Sequence, residues 1–485
     1  MLTYEDYLKV QGDEKKKVDF ILKAIEEHKR SPAYLKAVSA QDYYDGLNTT
    51  IMKYEKLIYD LEGKAHVDMW TANHKITSSF FTFVIDQEVS YLLGNGVRFG
   101  KDGTKKKMGK NFDQRVMDAL EYARIAGSAF GFWNLDHLDV FKFQEFRPIY
   151  GEETGALMLG IRFWKLDVNK PLRVTFYELD GYTEYIRRPG EELKIMAPKR
   201  AYISHKTTAA DGTDITAGEN YEGFPIIPLY ANKKHASALE GKQNTLDALD
   251  LVSSNMVNNV DEGNLIYWVL TNCGGMDDMD DVKFIERIKT LHVAHADGDS
   301  GASAEPHTIE APFDGTKATI DMLQERLFDD FQAFDAKSVT AQDMSATAIE
   351  AAYIRLDMKA DKIEREVTQF INGILEIARI DDDPTYQRNK ILNKMEETQS
   401  VIMQADYFDD EYIRKKLLAI NGDIDLYEEI AKRMDAEDAQ RMKDAMERIR
   451  QMEQQTGNQS GNQEENNDGN NGGVPNNDMG GNNNE

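Results

Sequence analysis

The chain has 485 residues, of which 41% are hydrophobic and 29% charged, which is enough for roughly two to four soluble domains with a sizeable core. Its formal net charge is −27. Because holding phosphates requires Lys and Arg, this charge excludes a protein that adheres to nucleic acid by bulk electrostatics, and a DNA-handling version of it should let the duplex pass.

The cysteine content and the hydropathy pattern limit the cellular compartments in which the protein is expected. Cys273 is the single cysteine, so an intrachain disulfide is excluded and a reducing compartment is favoured. The first residues, MLTYEDYLKVQGDEKKK, are charged and do not read as a signal peptide. No window holds about 18 uncharged apolar residues, so we expect no membrane span.

The N-terminal third begins with helices. Residues 1–70 are predicted to be helical, with one helix starting at Ser31 and Pro32. The apolar run in residues 73–95, NHKITSSFFTFVIDQEVSYLLGN, predicts a helix buried on most sides and ended by Gly94. Such a helix needs neighbours all round, and we expect another subunit to supply some of them.

A helix is predicted over 112–127, and the residue pattern changes after it. From about 129 to 203, aromatic and β-branched residues alternate with polar ones between turn sequences, which predicts a meander of antiparallel strands. The stretch HKTTAADGTDITAGENYEGFP then predicts a polar loop, and FPIIPLYANKK, with two prolines, predicts an edge strand or extended connector.

A helix is predicted from about 239 to 270, and its polar residues recur at steps of three and four. They form one acidic stripe: Asp247, Asp250, Ser254, Asn258 and Asp261. A stripe of this kind fits either a solvated outer face or the wall of a channel. A small mixed unit follows to about 312, and a helix is predicted over 316–334.

The strongest periodicity in the chain follows a small polar loop. Thr347 and Glu350 form a capping box, and apolar residues then recur at alternating steps of four and three for four heptads. This pattern predicts a long helix packed closely against another long helix. Further helices reach about 450, and the Asn- and Gly-rich remainder predicts a disordered tail.

Several short stretches resemble metal-binding or catalytic motifs but lack the residues or spacing that those motifs require. HVAHADGD lacks the spacing of a zinc-protease helix or a calcium loop, and Cys273 has no nucleophile context. The run MDDMDD gathers its carboxylates locally, whereas a two-metal nuclease collects them from separated elements. A P-loop is absent from the sequence, so we expect neither an enzyme nor a bound cofactor.

Three stretches in order give the chain a family resemblance. ANHKITSSFFTFVIDQEVSYLLGN, the strand block FRPIYGEETGALMLGIRFW, and FPIIPLYANKK with the helices after it resemble the portal proteins of tailed phages of Gram-positive hosts, over about 43–379. Many relatives carry Ser-Gly before the long helix, where this chain has MSATA.

The resemblance implies an α+β, mostly helical portal fold whose subunits form a ring around a central channel. Its parts would be a wing at 1–238, a stem helix at 239–270, a clip at 271–315, a stem helix at 316–334, a tunnel loop at 335–346, a long wing helix at 347–380, a helical crown at 381–450 and a tail at 451–485.

The resemblance also implies partners and a place. We expect a homo-oligomer of twelve subunits at one capsid vertex of the virion, assembled in the host cytoplasm. Double-stranded DNA would pass through it, and the terminase large subunit, head-completion or adaptor proteins, and major capsid and scaffolding proteins would bind it, without a membrane. The alternative is a minor capsid or scaffold-interaction protein without a DNA channel.

Four groups of candidate residues follow from this interpretation. The tunnel loop facing DNA would offer Asp335, Lys337, Ser338, Gln342 and Asp343. The acidic stripe facing the channel would offer Asp247, Asp250 and Asp261. The clip facing terminase would offer Asp277, Asp278, Asp280 and Asp281. Packing between subunits would involve Phe80, Val84, Tyr353, Leu356, Ile363, Val367 and Phe370.

Overall fold

The computed structural model of the chain falls into two compact units, Met1–Ile391 and Leu392–Glu485. The structure describes residues 2–59, 63–68, 71–101, 103–208, 214–262, 267–271, 303–307, 313–335, 346–389 and 394–459. The described helices of the first unit are α1 (Tyr4–Leu8), α2 (Glu14–Arg30), α3 (Pro32–Tyr44), α4 (Thr49–Met52), α5 (Phe80–Leu93), α6 (Thr104–Lys107), α7 (Phe112–Ala126), α8 (Gln243–Glu262), α9 (Phe313–Phe331) and α10 (Ala346–Ile377).

The described strands all lie in this first unit and pair antiparallel. They are β1 (Leu57–Tyr59), β2 (Ala65–Val67), β3 (Val97–Phe99), β4 (Ser128–Asn134), β5 (His137–Lys142), β6 (Phe146–Tyr150), β7 (Leu157–Trp164), β8 (Leu172–Glu178), β9 (Gly181–Arg187), β10 (Lys194–Arg200), β11 (Ile203–Thr208), β12 (Asp214–Glu219), β13 (Ile226–Tyr230), β14 (Tyr267–Thr271), β15 (Ser303–His307) and β16 (Pro384–Tyr386).

The predicted meander is confirmed as a five-stranded sheet in the order β10-β9-β8-β7-β6. Successive strand residues face opposite sides, so neighbours separate into two cores. Phe176 lies in the cluster formed with α1 and α2, whereas Tyr177 joins Phe130, Phe141 and Phe146 between this sheet and a second one. The result is a helical layer, the five-stranded sheet, and then the three-stranded sheet β13-β4-β5.

The outer face of the three-stranded sheet supports the main helical layer. Trp133 and Leu138 of the sheet share the largest core with α5, α7 and α10. Gly131 allows α10 to approach β4, because a Cβ there would lie 2.5 Å from Cζ of Phe370. The predicted edge strand is confirmed as β13, which lies at the edge of this sheet.

Local chemistry explains several boundaries. The Asp13 side chain accepts hydrogen bonds at the start of α2, and Ser31 caps α3 with Pro32 in its first turn, as predicted. Gly127, at φ +96°, ends α7 at the predicted position. The buried helix predicted before Gly94 is α5.

Several predictions of secondary structure in the first unit are wrong. Residues 57–67 form the β1-β2 hairpin, and the predicted polar loop forms the β11-β12 hairpin. The helix predicted to reach 270 ends at Glu262, and 267–271 is a strand paired with β15. Helix α9 starts at Phe313 instead of 316.

The second unit is helical in its described part. Its helices are α11 (Lys394–Met403), α12 (Asp410–Asn421) and α13 (Tyr427–Gln459). Val401 and Ile413 are buried, and the Asp409 side chain caps α12. Because α13 continues to Gln459, the predicted boundary of the disordered tail at 451 is wrong for its first residues.

Candidate functional site

The polar face of α8 is joined to an extended segment, residues 74–78, by a ladder of hydrogen bonds. Three side chains one turn apart each accept from an alternate backbone N–H: Asn258 from His74 at 2.6 Å, Ser254 from Ile76 at 2.9 Å, and Asp250 from Ser78 at 3.1 Å. The match arises because four helical residues advance about 6.0 Å and two extended residues about 6.6 Å. Side chains of α8 thus accept hydrogen bonds from backbone N–H groups of residues 74–78, a segment that is not paired with a strand in the described part of the chain.

This ladder corrects the prediction for the acidic stripe. Asp250 is 1% exposed, and its second carboxylate oxygen accepts from Asn48 Nδ2 at 2.8 Å. Asp247 is half-buried and accepts from the Tyr43 hydroxyl and from Asn48. Asp250 therefore cannot face a channel, and the stripe does have an intrachain partner. Asp261 alone of the three keeps an exposed carboxylate, 3.1 Å from His74 Nε2.

Burial sets the electrostatics of this face. It raises the pKa of the Asp250 carboxyl above its ordinary value, against the opposing effect of the hydrogen bonds from Asn48 and Ser78. The two hydrogen-bond donors compensate the loss of solvent, which is the condition for holding a carboxylate in a protein interior.

A second polar cluster, the buried ion network, lies among α5, α7 and α10. It consists of Glu88, Arg124 and Lys359, whose side chains are 1%, 6% and 12% exposed. Arg124 Nε donates to Glu88 Oε2 at 2.6 Å, and Lys359 Nζ pairs with Glu88 Oε1. Arg124 also donates to the carbonyl of Ala231 at 3.0 Å, and Lys359 to that of Phe331, so the network ties three helices to two further segments.

The network contains two cations for one anion. Burial alone would raise the pKa of Glu88, but Arg124 and Lys359 outweigh it and the pKa falls below its ordinary value. Burial lowers the pKa of Lys359 to about 8 despite the attraction of Glu88, and Arg124 adds repulsion. Glu88 is consequently the anion that allows both cations to stay charged inside the protein.

Sequence reasoning missed this network. A carboxylate within a helix predicted to be buried on most sides was a signal that a cation must meet it, since a buried charge needs a partner. The pattern could not identify the partners, because Arg124 lies 36 residues away and Lys359 much further along the chain.

The prediction that seven apolar residues pack between subunits is wrong for six of them. Val84, Tyr353, Leu356, Ile363, Val367 and Phe370 are all buried within one chain. Tyr353 stacks between Phe334 and Tyr91, at 4.2 and 5.7 Å between ring centroids. Phe80 is half-buried, and its ring lies 5.0 Å from that of Phe328. Periodicity identifies a buried face, and α5, α9 and the sheet bury this one.

The remaining candidate residues lie mostly outside the described part of the chain. This applies to Lys337, Ser338, Gln342 and Asp343 of the tunnel loop, to Asp277, Asp278, Asp280 and Asp281 of the clip, and to Cys273 and the HVAHADGD stretch. Asp335 is described and half-buried. Within the described ranges, His, Cys, Asp and Glu side chains nowhere gather in a group of three that could hold a metal ion. None of the described helices combines the length and apolarity needed to cross a bilayer.

Comparison with known proteins gives consistent results across most of the chain. The profile of the family described as "Phage portal protein, SPP1 Gp6-like" matches residues 23–452. A portal protein of Clostridium phage phiCD119 is 24% identical over 358 residues, covering 67% of this chain and 77% of that protein. A portal protein of Bacillus phage SPP1 is 22% identical over 426 residues and covers 79% of each chain.

Among solved structures, a chain from "Neck of empty GTA particle computed with C6 symmetry" aligns over 70% of this chain and 90% of its own length. Its TM-score is 0.42 at 8% identity. The family profile spans both the sheets and the helical layer that bury Glu88 and Asp250. On that match, the chain belongs to the SPP1 Gp6-like family of phage portal proteins.

Proposed function

We propose that the chain is a portal subunit that closes with eleven further copies into a ring at one capsid vertex. The ring is the channel through which double-stranded DNA enters the capsid and later leaves it. The observation that carries the proposal is the family match over residues 23–452. In this role the protein acts as a conduit and docking platform, and the work of packaging belongs to a separate motor.

The described surface supports assembly. After each helix has packed within its own chain, apolar side chains remain exposed on three neighbouring elements. They are Val257 and Val260 on α8, Met322 on α9, and Ile354 and Met358 on α10. Exposed apolar side chains shared by adjacent helices favour burial against another protein surface. A second copy of the chain is the partner that ring closure requires.

The charge balance supports passage of DNA without adhesion. A chain of net charge −27 repels a duplex on balance, and each phosphate held by a cation would slow movement. We assign the DNA-facing positions to the 335–346 loop and to Asp261, whose side chain is 58% exposed. The clip at 271–315 is assigned to the terminase large subunit, and head-completion, capsid and scaffolding proteins bind the same ring.

Imaging of the purified full chain tests the ring. At assembly concentration, negative-stain images and native mass spectra should show closed particles of about twelve subunits with a central bore. Monomers, or solid particles without a bore, would refute the portal role. Solid particles that still bind capsid or scaffolding protein would support a minor capsid component instead.

A charge change at Asp261 tests the channel assignment separately. Asp261→Lys should slow packaging, because each subunit adds a cation that holds phosphate. Asp435→Lys on α13, a like change at an exposed carboxylate, is the control. If Asp261→Lys particles package DNA as fast as the control, Asp261 does not face the channel, whatever the ring test gives.

A further inference from the structure

A basic cleft lies between the 231–242 loop, which leads into α8, and the outer face of α10, with Arg124 of α7 also in its lining. It has a volume of about 730 Å³. Six cations and two carboxylates line it, which gives the lining a net charge of +4 in a chain of net charge −27. The lining cations are Arg124, Lys233, Lys234, Lys242, Lys362 and Arg365, and the carboxylates are Glu240 and Glu366.

The loop that forms one wall is held in a fixed shape. Asn232 Oδ1 accepts from the backbone N–H groups of Lys234 and Ala236, at 3.0 and 3.3 Å, and its Nδ2 donates to the Ala236 carbonyl at 2.8 Å. His235 takes a positive φ of 52°, and its ring stacks on Tyr230 at 3.6 Å between centroids. The exposed Lys233 and Lys234 are therefore displayed by an ordered turn.

Most of the positive charge is uncompensated. Glu240 pairs with Lys36 at 2.9 Å, which removes one of the two lining carboxylates from the balance. In the part of the chain that the structure describes, Lys233, Lys234, Lys362 and Arg365 form no ion pair, and all four are exposed.

The floor of the cleft adds to this charge. Lys242 Nζ donates to the Ala238 carbonyl at 2.8 Å, and burial together with repulsion from Arg124 lowers its pKa. The N-terminus of the 20-residue helix α8 adds a partial positive charge at the same place. An anion entering the cleft would meet several unpaired cations and relieve the repulsion between the half-buried Lys242 and the buried Arg124.

We infer that this cleft is a subunit contact that receives carboxylate side chains of a second copy of the chain. A second copy supplies the complementary charge, since the chain has 85 Asp and Glu residues against 58 Lys and Arg. The cleft is a recess between a loop and a helix, which side chains of a polypeptide can enter and the convex surface of a duplex cannot fill. The inference rests on the proposed ring, whose like-charged subunits need local attraction to close.

Cross-linking between differently labelled copies tests the contact directly. Rings assembled from equal amounts of ¹⁴N and ¹⁵N chains are treated with a carbodiimide, which joins a lysine to a carboxylate in direct contact. Cross-links from Lys233, Lys234 or Lys362 should join a light peptide to a heavy one about as often as random mixing allows. If their cross-links join only peptides of one label, the contact is within a chain and the inference is overturned.

A charge-reversal variant measures the contribution. Lys233→Glu/Lys234→Glu/Lys362→Glu should weaken subunit association about tenfold or more at low salt, and the difference should shrink as salt screens it. The control is Lys106→Glu/Lys107→Glu/Lys110→Glu, which reverses three exposed lysines elsewhere in the first unit.

The outcomes separate the inference from the portal role. If both triple variants form rings with wild-type affinity, the cleft is not a contact although the ring stands. The same holds if the cleft variant loses only binding to a short DNA duplex and keeps its assembly. If the wild-type chain forms no ring at all, the portal role and the inference fail together.

Discussion

Glu88→Gln tests the balance of the buried ion network. Glutamine keeps the length and shape of the side chain and removes its charge, so Arg124 and Lys359 are left in the interior without an anion. Breaking a buried ion pair by removing one partner costs roughly 3–5 kcal/mol, because the remaining charge has lost water and gained nothing. Glu88 faces two cations, so the upper part of this range would apply if both stayed charged.

Lys359 limits the loss. Its pKa is already lowered to about 8, so without Glu88 it can release its proton near neutral pH, whereas the Arg124 guanidinium cannot. We therefore expect about 3 kcal/mol, most of it from Arg124. Hydrogen exchange of amides in α5 and α7 measures this local free energy, and protection should fall roughly 100- to 200-fold.

Two further variants make the test specific. Glu222→Gln is the matched control, since Glu222 pairs with Arg379 at 2.9 Å on the surface with both side chains well exposed, and it should cost at most about 1 kcal/mol. Lys359→Met removes the excess cation. It should cost little alone, and in the Glu88→Gln background it should restore only the small part of the protection that Lys359 accounts for, because Arg124 keeps its charge. If Glu88→Gln loses no more protection than Glu222→Gln, or Lys359→Met worsens it, the charge argument is wrong.

Three other expectations follow from buried groups. Burial lowers the pKa of His28 to about 4, whereas the unfolded chain keeps the ordinary value of 6.5. The contribution of His28 to stability is therefore complete above pH 6.5 and falls by up to about 3 kcal/mol towards pH 4. His28→Gln should flatten this fall in thermal unfolding measured against pH, and an unchanged pH profile would contradict the expectation. Asp250→Ala should cost about 1–3 kcal/mol and expose residues 74–78 to hydrogen exchange, whereas Asp250→Asn, which keeps an acceptor, should cost less; equal losses would argue against the ladder. Gly131→Ala should lower the thermal midpoint by the equivalent of about 1–3 kcal/mol, and adding Phe370→Leu should recover part of it. A Gly131→Ala chain that melts at the wild-type temperature would contradict the role of Gly131 in the close approach of α10 to β4.

The long helix α10 shows which features the sequence could predict and which it could not. The alternation of steps of four and three predicted a helix over 347–380, and α10 spans Ala346–Ile377 with Leu356, Ile363 and Val367 buried. The expected partner was another subunit, and the actual one lies within the chain. A hydrophobic period records which face loses water, and it carries no information on which surface covers that face.

The prediction that the polar face of α8 is exposed was wrong for a related reason. Asp250, Ser254 and Asn258 recur at helical spacing, and such a stripe is usually solvated, so exposure was the natural prediction. These side chains are buried because 74–78 is extended without a strand to pair with, and its N–H groups need acceptors. Only the position of that segment in space reveals this, and the sequence places it some 180 residues away.

The distribution of positive charge links the fold to the proposed assembly. In this acidic chain, buried cations join separate elements. Lys17 joins α2 to β8 through Glu178 at 3.0 Å, and the buried ion network joins α5, α7 and α10. The half-buried Arg388 also bridges the segment after β16 to carboxylates of α10. The basic cleft departs from this pattern, since its four exposed cations have no ion-pair partner in the described chain. In a protein with so many carboxylates, cations left unpaired on an ordered wall are best explained by an acidic partner that arrives when copies assemble.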